Sequence, residues 1–277
     1  MFDVLRPDGR PLLMGILNVT PDSFSDGGCF VGVDAACAHA VQMVDEGADI
    51  VDVGGESTRP GASAVTTAVQ IERVVPVIAA LRQRLPARIV LSVDTREVAV
   101  ARAALDAGAS IVNDIAGGAA PAIFELVASH GAALVLMHMQ GTPATMQREP
   151  HYVDVVAEVR DFLLERAEAA ERAGIPRARL ALDPGIGFGK NREHNLRLLA
   201  GLGALTAAGY AVLLGTSRKR FMGAICSAIE PCELLGATCA TTALAVAAGV
   251  KIVRVHDVKP NRQAADVAWA IGQFPAR

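Results

Sequence analysis

The chain has 277 residues, 52% of them hydrophobic and 20% charged, with a formal net charge of −3. That composition can bury a sizeable core and excludes intrinsic disorder; because α/β barrels of about 250 residues routinely form one domain, a single domain over 1–277 is expected. The mild acidity, without a basic run or basic helix face, excludes a protein that tracks nucleic-acid phosphates.

Residues 1–10 carry charges throughout and offer no apolar signal-peptide core, so a cytoplasmic protein is expected. The first short apolar run covers 12–18, and others follow at 49–54, 89–94, 110–115, 133–139, 180–183, 211–217 and 252–256. Helical segments separate them. Residues 67–85 open on a capping-box pattern at Thr67 and Gln70 and align Ile71, Val74, Val75, Ile78 and Leu85, with Pro76 predicted to bend the helix. Residues 154–173 repeat the pattern with Val156, Val159, Leu163 and Ala170, then stop before Gly174. Gly47, Gly108, Gly131, Gly209 and Gly249 each follow such a segment and precede an apolar run, where a left-handed residue ends a helix at little cost.

The longest uncharged run, 234–250, is short of the ~20 apolar residues that span a bilayer. It reads as a helix with little free surface, packed in the core or at a subunit contact. The five cysteines are odd in number and form no C-x-x-C pair, so reduced thiols in a cytosol are expected.

Eight near-continuous apolar runs alternating with helices, with no linker between them, predict a (β/α)8 barrel. Its site should lie at the C-terminal ends of the strands. An open doubly wound sheet is the alternative that periodicity leaves. Almost every run ends in a residue that apolar packing would not choose: Asn18, Asp52 with Glu56, Asp94, Asn113, His138, Asp183, Ser217 with Lys219, and Arg254 with His256. Asp52, Asn113 and Arg254 stand five residues after their glycine, His138 and His256 seven, so all are expected to point into the barrel. Buried polar groups are costly unless paired, and eight strands carrying them at one end mark an active site.

Asp94, Asn113 and Asp183 suit a flat heterocycle with several N–H donors and a carbonyl, and Lys219 supplies a cation for a ring oxygen or nitrogen. Phe188 and Met139 offer apolar faces to such a ring. Arg59, Arg254 and His256 form a cationic set matched to a mono- or diphosphate. Asn18 is a single oxygen ligand of the kind Mg²⁺ accepts alongside water and substrate phosphate. Loops 20–30 and 56–62, each following a strand, are candidate lids. The run from Asp183 to Lys190 lacks the spacing of an NTP-binding loop. His39, His130, His151 and His194 read as surface or satisfied histidines, and His138 as a barrel residue outside the catalytic set.

Taken together these residues resemble the dihydropteroate synthase family. The likeness runs from MGILNVTPDSFSDGG (14–28) through GGESTRPG (54–61), SVDT (92–95), NDI (113–115), MHM (137–139) and DPGIGFG (183–189) to SRK (217–219) and RVHDV (254–258). It implies a transferase joining 6-hydroxymethyl-7,8-dihydropterin diphosphate to 4-aminobenzoate, with Mg²⁺, sulfonamide competition and a homodimer. By the same likeness Asp94, Asn113, Met139, Asp183, Phe188 and Lys219 would hold the pterin. Asn18 with Mg²⁺, Thr58, Arg59, Arg254 and His256 would hold the diphosphate. Thr58, Pro60, Phe188 and Ser217 would border the aminobenzoate, and Arg59, Asp94, Lys219, Arg254 and His256 would be catalytic. Competing readings are a methyltransferase on a related pterin-binding barrel and a non-catalytic pterin-binding homologue.

Overall fold

The computed structural model describes residues 8–20, 28–56, 65–227 and 230–274, with residues 28–31 described as backbone only. Its strands are β1 (Leu12–Asn18), β2 (Ile50–Gly54), β3 (Val90–Asp94), β4 (Ile111–Asp114), β5 (Ala133–Met137), β6 (Leu180–Asp183), β7 (Ala211–Leu214) and β8 (Ile252–Val255). Each pairs in parallel with its neighbours in sequence, and β8 pairs back onto β1. The sheet is a closed barrel, as expected, and the open-sheet alternative is excluded.

Around it lie α1 (Gly28–Asp45), α2 (Thr67–Arg84), α3 (Val98–Asp106), α4 (Ala122–Ser129) and α5 (Val155–Arg172). These are followed by α6 (Arg192–Ala200), α7 (Leu202–Thr206), α8 (Arg220–Cys226), α9 (Leu235–Ala247) and α10 (Val258–Gly272). All five glycines predicted to stop helices have positive φ, from 58° at Gly131 to 113° at Gly108.

Strand alternation divides the core in two. Leu12, Met14, Ile50, Val90, Ile111, Val135, Leu213 and Ile252 point inward and fill the lower barrel. The alternate residues, among them Leu13, Val51, Leu91, Val112 and Leu134, pack outward against the helices. Burying each such side chain contributes about 1.5–3 kcal/mol. Two residues further along, the inward positions become Asp52, Ser92 and Asn113, buried beside one another. The apolar plug thus ends where a polar layer begins.

Three local expectations need correction. The cap of α2 is Thr66, whose side chain accepts from the Val69 N–H, so the capping box at Thr67 and Gln70 does not form. Gln70 is instead buried, its amide donating to the Val65 carbonyl 3.1 Å away. The buried stripe of α2 runs through Gln70, Val74, Val77, Ile78 and Leu81, leaving Ile71 and Val75 at its edge, and Pro76 lies inside the helix without ending it. Finally, of the two places offered to α9, the core is not the one it takes: Thr238, Thr242 and Ala245 are buried, whereas Leu244 is 68% exposed. An outer helix buries only the stripe that meets the sheet, however apolar the rest is. Among the described residues no helix is long and apolar enough to cross a membrane.

Candidate active site

The polar layer is organised by Arg254, which rises inward from β8. Its Nε donates to Oδ2 of Asp52 over 2.7 Å and its NH2 to Oδ2 of Asp94 over 2.8 Å. Asn113 donates from Nδ2 to the same Asp52 oxygen at 2.9 Å. The Asp52 side chain has no exposure, while that of Arg254 is one-fifth exposed. Asp52 is therefore the inner anchor, and the guanidinium is the part that looks outward. Breaking such a buried pair is far costlier than losing a surface one.

Burial pushes the Asp94 carboxyl up to about 7, against the pull of Arg254 and with added push from Asp52. For Arg254, burial works to lower the pKa, but Asp52 and Asp94 outweigh it and hold the guanidinium charged.

Asp183 and Lys219 add a second carboxyl and a second cation that influence each other electrostatically. Asp183, at the end of β6, accepts from the Gly185 N–H at 2.7 Å; burial raises its pKa and Lys219 opposes the rise. Lys219 is lowered to about 8 by burial, with Asp183 working against that and Arg254 adding to it. Its ammonium donates to the Ile186 carbonyl and lies 4.8 Å from the centre of the Phe188 ring. Asp94, Arg254, Asp183 and Lys219, predicted from four different strand ends, thus form one electrostatic group. Met139 is half-buried two residues beyond β5.

The rim between β7 and β8 is shaped by Arg218, whose φ of 58° places it in the left-handed region. That twist sends its two neighbours opposite ways. Lys219 goes to the Asp183 side, and Ser217 turns its Oγ to His256, accepting from its backbone N–H at 3.2 Å and meeting Nδ1 at 3.0 Å. Arg218 itself grips Asp257 with two hydrogen bonds of 3.0 and 2.6 Å. On β1, the strand next to β8, Asn18 pairs in register with Gly54 of β2. A Cβ at Gly54 would lie 3.6 Å from both Asn18 Oδ1 and Asp94 Cβ, so the missing side chain lets Asn18 and Asp94 flank one gap.

Thr58, Arg59 and Pro60, with most of the two candidate lid loops, lie outside the described residues. Within those loops' described parts, Glu56 accepts from the Val65 N–H at 3.0 Å. Among the described residues no group of three His, Cys, Asp or Glu side chains could hold a metal.

His138 is corrected. It points outward, packing edge-on against Phe162 of α5 at 5.0 Å. The Gly131 stop lies one residue nearer its strand than the other glycines do: its first inward residue is Ala133, two positions on, whereas Ile50, Ile111 and Ile252 stand three after theirs. Burial, then Lys190, pushes the imidazole down to about 3, which keeps it neutral.

Asp52 is the functional residue that its place at the rim alone does not explain; its spacing of five from Gly47, shared with Asn113 and Arg254, is the sequence signal for it. Lys190 left no signal beyond its place after a glycine-rich run. It is 2% exposed and its ammonium is enclosed by protein acceptors, so it is not a phosphate lysine.

A model of the pterin-binding enzyme family matches residues 14–256. A dihydropteroate synthase of Synechocystis sp. is 46% identical over 95% of this chain and 90% of its own length. Among solved structures, a Yersinia pestis dihydropteroate synthase in a sulfonamide drug complex is 43% identical, covering 96% of this chain and 95% of that one with a TM-score of 0.89. The Xanthomonas albilineans enzyme in complex with 7,8-dihydropteroate is also 43% identical, with coverages of 96% and 95% and a TM-score of 0.86.

Proposed function

The chain belongs to the dihydropteroate synthase family of pterin-binding enzymes, and from that premise we propose how its barrel mouth works. The protein is a transferase that condenses 6-hydroxymethyl-7,8-dihydropterin diphosphate with 4-aminobenzoate, giving 7,8-dihydropteroate and pyrophosphate. The observation that carries the residue assignments is the hydrogen-bonded Asp52–Arg254–Asp94 chain at the barrel mouth.

Carboxylates accept N–H groups, so Asp94, Asp183 and the Asn113 amide hold the edge of the pterin ring. Lys219 donates to its other edge, and Met139 and Phe188 cover its faces. Arg254 and His256, with Asn18, Thr58 and Arg59, take the diphosphate. Thr58, Pro60, Phe188 and Ser217 border the aminobenzoate.

A resident Mg²⁺ fits this donor set. Asn18 offers one neutral amide oxygen beside Asp94, and magnesium commonly takes few protein ligands while keeping waters and substrate phosphate oxygens. When bound, it supplies positive charge to the diphosphate.

Cleavage of the C–O bond sends its electron pair to the diphosphate. Arg254, Arg59 and His256 stabilise the charge that grows there, an effect already organised before reaction. The electron-rich dihydropterin, with Asp94 beside it, stabilises the cationic methylene that remains. The aminobenzoate nitrogen then attacks that carbon and loses a proton to solvent. No side-chain nucleophile is required. Positional isotope exchange in the diphosphate substrate, with aminobenzoate withheld, tests the order of steps. Movement of bridging ¹⁸O to non-bridging positions is expected, whereas no exchange, or a trapped covalent enzyme–pterin adduct, counts against it.

A homodimer in the cytoplasm completes the proposal. Leu244 on α9 and Val267 and Ile271 on the packed neighbour α10 are 68%, 60% and 67% exposed, and an apolar face of this kind suits a second copy. Cys226 and Cys232 are exposed free thiols, a state that a reducing compartment preserves.

A further inference from the structure

Asp183 ends β6 and Phe188 lies on the loop from there to α6, and that loop is held largely by its neighbours. Gly185 has a φ of +64° and Gly189 one of +61°, and a Cβ at either would overlap a carbonyl oxygen, that of His138 or of Gln140 respectively. The loop therefore rests directly on the backbone that follows β5.

Lys190 turns back beneath it. Its Nζ donates to the carbonyls of Gly185 at 3.0 Å and Phe188 at 2.9 Å and over 3.3 Å to that of His138, and it meets His138 Nδ1 at 2.9 Å. The Tyr152 hydroxyl donates to the next carbonyl along, that of Gly189, at 2.7 Å. A buried amine is costly unless acceptors surround it, and here every acceptor is neutral and most are backbone. The arrangement spends a lysine and a tyrosine on the shape of one short segment.

We propose that Lys190, with Tyr152, is a positioning residue for pterin-ring recognition. By holding the carbonyls of residues 185, 188 and 189, the two fix the backbone on which Asp183 and Phe188 stand. They also fix the Ile186 carbonyl that steers Lys219. The inference rests on reading this wall as the one that meets the ring. Among the described residues, the hydrogen bonds of Lys190 and Tyr152 all go to residues 138, 185, 188 and 189, and none to Arg254. A purely structural staple would lower the melting temperature and leave ligand selectivity alone.

The test uses the full chain and two probes: 6-hydroxymethyl-7,8-dihydropterin, which carries the ring without diphosphate, and inorganic pyrophosphate with Mg²⁺. Lys190→Met should weaken the ring by about tenfold or more and leave pyrophosphate within about twofold, since one lost buried hydrogen bond corresponds to roughly that factor. Tyr152→Phe, which keeps the aromatic packing, should weaken the ring by about threefold with pyrophosphate again unchanged. Unchanged ring affinity in folded Lys190→Met, or equal losses for both probes, overturns the proposal. If Lys190→Met does not fold, Tyr152→Phe decides alone: weaker ring binding supports the role, and wild-type binding overturns it. A wild-type protein that binds neither probe would overturn the underlying site assignment instead.

Discussion

Arg254 Nε lies 2.7 Å from Oδ2 of Asp52, a carboxylate with no solvent exposure, so the cation facing the site is fixed from inside the barrel. Asp52→Ala leaves that guanidinium without its inner partner and takes the acceptor from Asn113. A loss of about 3–5 kcal/mol in unfolding free energy is expected from urea titration, as for other broken buried pairs. A loss below about 1 kcal/mol, typical of an exposed pair, would show that Asp52 is no anchor.

Arg254→Ala should weaken binding of pyrophosphate by about 2–5 kcal/mol, because the fork that meets the phosphate oxygens is gone while Asp52 stays buried. Calorimetry with Mg²⁺ present reads this directly. Unchanged affinity and rate would contradict the assignment of Arg254. The same variant removes the charge opposing protonation of Asp94, so the Asp94 pKa should rise further.

Ring affinity should follow a bell in pH. Asp94, raised to about 7, must be ionised to accept ring N–H groups, so affinity climbs as pH rises toward that value. Lys219, lowered to about 8, must be protonated to donate with its full charge, so affinity falls above it. Asp94→Asn should remove the Asp94 share of the acidic limb, leaving that of Asp183, whose pKa burial also raises, and Lys219→Ala should remove the basic limb. The stability signs run the other way. Asp94 binds its proton more tightly when folded, so its contribution is full below the unfolded value of 3.8 and fades as pH rises to about 7. Lys219 binds its proton less tightly when folded, so stability grows as pH rises from about 8 toward 10.5.

The barrel was legible because its strands are nearly uniform in chemistry and punctuated by glycine. β1 and β6 match their predicted spans to the residue. The run at 211–217 outlasts β7 by three residues, since Gly215, Thr216 and Ser217 follow where the ladder stops at Leu214. The rim residues were legible as well, because carboxylate, amide and cation at strand ends have few structural uses. What escaped were relations between segments. The inward face of β5 depends on one residue of spacing after Gly131, and the stripe of α2 turns on Gln70, a polar residue buried to serve the loop before it. Lys190 works on backbone carbonyls, which no side-chain pattern announces.

Asp183→Ala and Lys219→Ala should each weaken the dihydropterin ring by roughly tenfold to a hundredfold, the range for losing a charged hydrogen-bond partner in a buried site. Pyrophosphate affinity should change far less. Equal losses for the two ligands would mean that ring and diphosphate are not held by separate sets of side chains.

Chelation of Mg²⁺ should weaken diphosphate binding and leave the bare ring unaffected, and Asn18→Ala should raise the Mg²⁺ concentration needed for half-maximal binding. An Asn18→Ala variant with an unshifted metal requirement would remove Asn18 from the metal's surroundings.

The most direct measurement mixes purified protein, Mg²⁺, the dihydropterin diphosphate and 4-aminobenzoate, and follows pyrophosphate and 7,8-dihydropteroate together. One pyrophosphate should appear for each dihydropteroate, with Arg254→Ala and Asp183→Ala both strongly impaired. Ring and diphosphate binding without any dihydropteroate formed, or turnover indifferent to both substitutions, would contradict a mouth that grips the ring and its leaving group at once.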